Sequence, residues 1–497
     1  MGLEKFSVKV VQLAFTLFLI LFTISSFFFS AYRDPLTNIA SYNYFPIISF
    51  VLVTILIAIL YFLKKKAYLK QFDSKKNLAI FLVLAFILAL YWNISNPSGL
   101  YDLDDAYNVM RSARAFVEHD YGPISYRTYM NTYPNNFGLF TYDALLVKLF
   151  GQHAESVFRL ISTIFMLIGY IYLYKIVESF TDDEEIKNIL VFLFYLSPQL
   201  IFYTYFVYGN VLSYSLGNMS LYYFIKYYQD DKKLNLFLAI IFITISIFIK
   251  NNSAIIMVAE AIFLFVRMIK KRKPILLLII ILMFGSFFYA TEGIISVYEK
   301  ISGTSYDNRL PKICWIAYGL NYDEQNPGGY FNEFEVYYAE NDYVAEFTAL
   351  RAEQFIDGVL EAFKDRPYLI PSFYGQKMLI SWANPEFEIF NQYAKVGLTG
   401  FNYDLVFGKA HNVFKQYLDG GQNLITLGLF IYLIKSLYKE RDFIKLLLPT
   451  VIFGGFLFHS FWETKAIYLY QYYFLLLPYA SIGLSTLLNR KEVNKNA

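Results

Sequence analysis

The dominant constraint on this chain is the recurrence, from end to end, of long apolar stretches that carry almost no charge. About twelve of them approach the roughly 20 residues that a helix needs to cross the hydrocarbon of a bilayer. They cover residues 10–29, 45–63, 78–92, 156–174, 189–206, 211–228, 234–248, 253–268, 275–290, 424–437, 446–461 and 467–488. Of the 497 residues 57% are hydrophobic and only 17% charged, too few to clothe several soluble domains. Backbone polar groups inside a bilayer must be satisfied within the protein, which leaves helices as the natural solution for spans of this length. The expected fold class is an all-α polytopic membrane protein. Its first span follows Lys5 and Lys9 but is too long for a signal-peptide core and is not closed by a small-residue cleavage site, so it reads as a retained anchor.

Charge sets the expected orientation. With the N-terminus in the cytoplasm, alternating spans put Lys64, Lys65, Lys66, Lys70, Lys75 and Lys76 in one inner turn and Lys226, Lys232 and Lys233 in another. Arg267, Lys270, Lys271, Arg272 and Lys273 follow, then Lys435, Lys439, Arg441 and Lys445, and finally the tail with Arg490, Lys491 and Lys495. That is the positive-inside pattern. It predicts a cell-membrane, multi-pass protein with both termini cytoplasmic. The expected organisation is N-terminal membrane helices over 1–92, a first outer loop over 93–154, central helices over 155–290, a large extracellular loop domain over 291–422, and C-terminal helices with a tail over 423–497. Residues 342–363 have the apolar spacing of an amphipathic helix, so that domain is expected to be mostly helical. A net charge of +3 gives no reason to expect nucleic acid, and the single cysteine, Cys314, excludes an internal disulfide. The four histidines are scattered without ligand spacing, which argues against zinc.

The first outer loop holds Asp102, Asp104 and Asp105 ahead of a helical pattern in which Ala106, Val109, Met110, Ala113, Phe116 and Val117 share one face. Such a helix beside a span would lie in the interface. Aspartate is a favoured helix cap and complements the helix dipole, and Asp102 suits that role. Three acids in four residues exceed what capping requires, and a carboxylate in a membrane-facing cleft suits a general base. Both readings stand on the local sequence.

Beyond this loop come Tyr133-Pro134, an apolar run ending at Phe150-Gly151, and Arg159. An acid pair, a helix, a Tyr-Pro element, an apolar segment and an arginine in this order resemble the GT-C superfamily of glycosyltransferases, in particular the family 39 and aminoarabinose-transferase-like branch. Ser197-Pro198 with Tyr205 and Tyr208-Gly209-Asn210, the turn Lys250-Asn251-Asn252-Ser253, and residues 311–320 with 327–330 are also similar to that group, as is Lys377 with Trp382. The turn Trp462-Glu463-Thr464-Lys465, followed by Tyr468, looks like one found in Gram-positive envelope members. Where many members carry Asp, this chain has Asn210, which leaves a charged role there in doubt.

The resemblance implies an inverting transfer of a sugar from a polyprenyl-phosphate carrier to an extracytoplasmic acceptor, which could be teichoic acid, cell-wall polysaccharide, glycolipid or protein. It also implies that Asp104 is the catalytic base, with Asp105 beside it. The leaving phosphate needs a fixed cation, and the candidates are Lys465, Arg159, Lys250 and Lys377. Asp102, Tyr133, Glu463 and Tyr468 are further site candidates. Glu260 joins them because an acid deep in a span marks function by default. No cofactor is expected. A divalent cation on the three aspartates is possible in principle but not favoured, because neighbouring acids on one helical turn diverge. An envelope polysaccharide polymerase or ligase would not need the Asp pair, and a lipid-linked sugar transporter predicts internal repeats that the chain lacks.

Overall fold

The structure is a computed structural model and describes residues 2–34, 39–96, 105–393 and 397–493. Helices dominate, and the expected spans all fall on helical segments. The first spans are α1 (Gly2–Phe28), α2 (Ile47–Lys65) and α3 (Ser74–Ser95), followed by the amphipathic α4 (Asp105–Val117) and by α5 (Phe137–Phe150). The central set comprises α6 (Ala154–Glu178), α7 (Glu184–Tyr195), α8 (Asn210–Asp230), α9 (Lys233–Ile249), α10 (Ala254–Lys271) and α11 (Ile275–Phe288). The helices of the large loop include α12 (Ile313–Gly319), α13 (Glu333–Glu340), α14 (Ala345–Asp365) and α15 (Leu369–Trp382). The chain re-enters the bundle through α16 (Lys409–Lys435), α17 (Leu447–Phe461) and α18 (Leu477–Val493). This is an all-α polytopic membrane architecture.

Among the described residues, seven helical stretches are long and apolar enough to cross a membrane by those criteria alone. The remaining spans are short, broken or polar for a physical reason. α7 stops before Pro198, which cannot continue a helix without losing a backbone donor. α8 and α16 are packed inside the bundle and bury polar residues such as Ser213, Asn218 and Ser220, or Gln422, Asn423 and Thr426. A helix surrounded by other helices tolerates side-chain hydrogen bonds that a lipid-facing one could not.

One element was not visible in the hydropathy. Between α1 and α2 the chain forms an antiparallel hairpin of β1 (Phe29–Arg33) and β2 (Ala40–Tyr44), with Phe29 opposite Tyr44 and Arg33 opposite Ala40. A lone two-stranded ribbon is marginal in isolation. Here the Ala31 N–H donates to the Ala383 carbonyl at 2.9 Å, tying β1 to the end of α15.

The lysine-rich turns meet at one end of the bundle. Lys75 pairs with Glu178 at 2.7 Å, Arg267 with Asp231 at 2.7 Å, and Lys270 with Glu4 at 2.6 Å. Near the C-terminus Asn489 donates to Glu185 at 3.1 Å, which in turn lies 3.5 Å from Lys64. The large loop lies at the opposite end. Its own small core includes Leu310, Cys314, Tyr318, Phe334 and Tyr338, and α14 closely matches the helix expected over 342–363.

Close helix approach is built on glycine. A Cβ on Gly483 of α18 would sit 1.8 Å from the Gly428 carbonyl oxygen of α16. Backbone in contact with backbone cannot yield as a side chain can, and overpacking of this kind costs about 1–3 kcal/mol or more. Gly483→Ala is therefore expected to lower the unfolding temperature of the detergent-solubilised protein. Gly285→Ala, with open space around its Cβ position, is expected to leave it unchanged.

Candidate active site

At the end away from the lysine-rich turns, a polar cavity of about 400 Å³ is lined by residues from widely separated parts of the chain. Asp105, the first residue of α4, forms one wall. Its helix is placed as the periodicity predicted, with Ala106, Val109, Met110 and Ala113 buried and the N-terminus turned to the cavity. Arg114 on the same helix pairs with Glu155 at 2.9 Å. Asp102 and Asp104 lie outside the described residues.

The Tyr208 hydroxyl donates to Asp105 Oδ2 at 3.3 Å and stands 3.4 Å from Asn136 Oδ1. The Lys250 ammonium lies 4.0 Å from the centre of the Tyr208 ring, a cation–π distance. Two turns between membrane helices, 204–209 and 250–253, thus contribute a tyrosine and a lysine to the wall that carries Asp105.

A second part of the lining comes from the turn after α17. Trp462, Glu463, Lys465 and Tyr468 all line the cavity. The Glu463 N–H donates to the Trp315 carbonyl at 2.9 Å and the Thr464 N–H to the Gly328 carbonyl at 2.8 Å, so the turn is pinned to the large loop. Lys465 Nζ lies 3.6 Å from Glu463 Oε1 and 5.4 Å from the Tyr330 ring centre, with a third of its side chain exposed. Burial lowers the affinity of Lys465 for its proton, but the carboxylates of Glu463, Glu388 and Asp105 outweigh that and hold it above the ordinary lysine value. Burial raises the Glu463 carboxyl against the lowering effect of Lys465, with Asp105 and Glu335 adding to the rise.

The large loop also contributes to the lining, through Trp315, Tyr318, Tyr330 and Glu335. The Trp315 and Trp462 rings lie nearly parallel, 16° apart with centres separated by 6.3 Å. Glu335 accepts hydrogen bonds from the Tyr133 and Tyr318 hydroxyls, the latter at 2.6 Å. Burial, and then the Glu335 carboxylate, raise both phenols well above the usual tyrosine range, so both stay protonated as donors. Flat apolar faces beside fixed hydrogen-bonding groups are the surface that a sugar ring needs, with apolar area for its C–H face and directional partners for its hydroxyls.

The cavity therefore gathers Asp105, Tyr133, Lys250, Glu463, Lys465 and Tyr468 from the residues singled out in the sequence. Three others are placed elsewhere. Lys377 is buried, and its ammonium donates to the carbonyls of Gly319, Ser460 and Trp462 at 2.6, 3.0 and 3.1 Å. This arrangement joins α15, α12 and the end of α17 and leaves the ammonium outside the polar cavity. Arg159 is buried with its guanidinium 3.9 Å from the centre of the Tyr205 ring, and it is not among the lining residues. Glu260 sits within the bundle, where Ser220 donates to it at 2.7 Å. Glu335 was not singled out by sequence reasoning: it is one of three glutamates in α13, and its contacts with Tyr318 and the distant Tyr133 distinguish it.

Among the described residues, no group of three His, Cys, Asp or Glu side chains is arranged to hold a metal ion. A family model described as dolichyl-phosphate-mannose-protein mannosyltransferase matches residues 140–289. No curated protein matches the chain. The matched region runs from α5 to the end of α11 and includes Tyr208 and the Lys250 turn. Together with the helical architecture, the match supports a multi-pass membrane glycosyltransferase of the GT-C type.

Proposed function

We propose that this protein transfers a sugar from a polyprenyl-phosphate carrier to an acceptor in the cell envelope, with inversion at the anomeric carbon. One observation carries the reading: an acid, Asp105, and two lysines, Lys250 and Lys465, converge on one cavity at the end of the bundle opposite the lysine-rich turns. By the positive-inside rule that end faces away from the cytoplasm, where a transferase has no nucleotide-sugar pool and depends on a lipid carrier. Two further cavities adjoin the polar one, and the first of them is apolar and suits the chain of a lipid substrate. The first, of about 470 Å³, lies between α1, α15 and α17 and shares His459 with the polar cavity. The other, of about 300 Å³, lies between Phe287 and Phe288 of α11 and the charged Glu292, Arg309 and Lys312, and shares Asn135, Asn251 and Trp315.

In the proposed reaction the Asp104–Asp105 pair supplies the general base. It accepts the proton of the acceptor hydroxyl as that oxygen attacks the anomeric carbon. The bond from that carbon to the phosphate oxygen breaks on the opposite face, and polyprenyl phosphate departs with the bonding pair. Lys465 and Lys250 stabilise the charge that develops on the phosphate, and they do so from fixed positions that need no reorganisation as it forms. The acceptor is an envelope polymer, glycolipid or protein, with an envelope polymer as the preferred reading.

The test uses purified full-length protein in lipid nanodiscs, a panel of labelled polyprenyl-phosphate hexoses, and isolated cell envelope. Label is expected on the envelope together with release of polyprenyl phosphate, and EDTA is expected to leave the rate unchanged because the reaction as proposed uses no metal. Absence of both transfer and release with every donor in the panel would overturn the proposal in favour of polymerisation or transport.

A further inference from the structure

The turn that carries Lys465 is held from behind by a residue of the N-terminal hairpin. Arg33, the last residue of β1, is only 4% exposed. Its Nε lies 3.4 Å from Glu388 Oε1, and its Nη2 donates to Asn326 Oδ1 at 2.9 Å. Both contacts lead to Lys465. Glu388 Oε1 also accepts the N–H of Ala466, the next residue along the turn, at 3.1 Å. Asn326 donates to the Tyr330 carbonyl at 2.7 Å, and the Tyr330 ring is the one that the Lys465 ammonium approaches. One arm of the guanidinium thus reaches the backbone beside Lys465, and the other reaches the loop whose aromatic ring faces its side chain. The Thr464-to-Gly328 hydrogen bond joins the two arms.

Two further observations point the same way. Phe387 and Glu388 have φ angles of 51° and 56°, a region costly for residues with a Cβ, and such conformations persist where the surroundings over-determine them. A buried ion pair is also weak evidence of added stability, because its desolvation often cancels its attraction. Arg33, Asn326 and Glu388 are not among the residues that line the cavity, so their route to it runs through those that do.

We propose that Arg33 is a positioning residue for the phosphate end of the donor: through Glu388 and Asn326 it sets the place of the Lys465 ammonium in the cavity. This rests on the reading of Lys465 as a phosphate-binding cation. It assigns a role in the reaction to the N-terminal hairpin, an element distant in sequence from every motif of the site. Arginine is suited to the task because its guanidinium is always charged and planar, so that it can hydrogen-bond Asn326 while its charge faces Glu388.

The test is a double-mutant cycle on equilibrium binding of polyprenyl phosphate, without sugar, to the full-length protein in nanodiscs. Arg33→Gln and Lys465→Gln are each expected to weaken binding about tenfold, and Arg33→Gln is expected to add less than about twofold in the Lys465→Gln background. Weakening of equal size in both backgrounds, or none in the wild-type background, would overturn the inference. Arg33→Lys keeps the charge beside Glu388 while removing the planar fork that also reaches Asn326. It provides the same comparison if Arg33→Gln does not fold, and it too must lose its effect once Lys465 is gone. Failure of the wild-type protein to bind polyprenyl phosphate is a separate result: it would remove the reading of the cavity itself, and this inference with it.

Discussion

Replacing the base by asparagine is expected to slow sugar transfer by about 10²- to 10⁴-fold, the usual contribution of a positioned general base. Asp104→Asn and Asp105→Asn keep the side-chain volume and the capacity to accept a hydrogen bond but remove the group that takes the proton. Asp105 faces the cavity and receives the Tyr208 hydroxyl, so Asp105→Asn also tests whether that contact orients a neighbouring base or holds the base itself. Loss of turnover in one variant with retention in the other assigns the proton acceptor. Donor binding is expected to survive in both, because the phosphate contacts lie on other elements. Full activity in both variants would exclude the acid pair from the chemistry and with it the proposed mechanism.

The second large effect is expected at Lys465. Removing one fixed stabiliser of developing charge from a site of this kind commonly costs about 10²- to 10³-fold in kcat, and Lys465→Gln is expected to fall in that range. Lys465→Arg is expected to recover part of the loss, since the charge remains while its position changes. The neighbouring acids support this role for Lys465. Glu463, Glu388 and Asp105 hold its proton in place, so it enters the reaction charged. Inhibition by added polyprenyl phosphate provides a second readout, expected to weaken in Lys465→Gln and to be unaffected in Glu260→Gln. An unchanged kcat in Lys465→Gln would mean that the cation which neutralises the leaving group lies elsewhere.

Much of the architecture was legible from local pattern. Apolar runs near the length of a bilayer identify spans without reference to their neighbours, and lysine at alternate turns orders them. The face of α4 that is buried, the extent of α14, and the gathering of basic turns at one end all follow from periodicity or charge along short stretches of chain. The hairpin did not follow in this way, because two five-residue strands between apolar spans carry too little pattern of their own and are held by α15, which lies some 350 residues further along.

The site divides along the same line. The sequence by itself placed an acidic cluster before a helix and a Trp-Glu turn near the C-terminus, and hydropathy put both on one side of the membrane. It could not separate Lys465 from Lys377, since each is a lysine in an aromatic outer segment close to a tryptophan. Tertiary structure separates them: three backbone carbonyls from two other parts of the chain surround the Lys377 ammonium, whereas Lys465 lines the polar cavity. Glu335 and Arg33 were hidden for the same physical reason. A spacing pattern records what one helix or turn presents, but the value of a charged group depends on which distant groups surround it, and only the packing of the helices decides that.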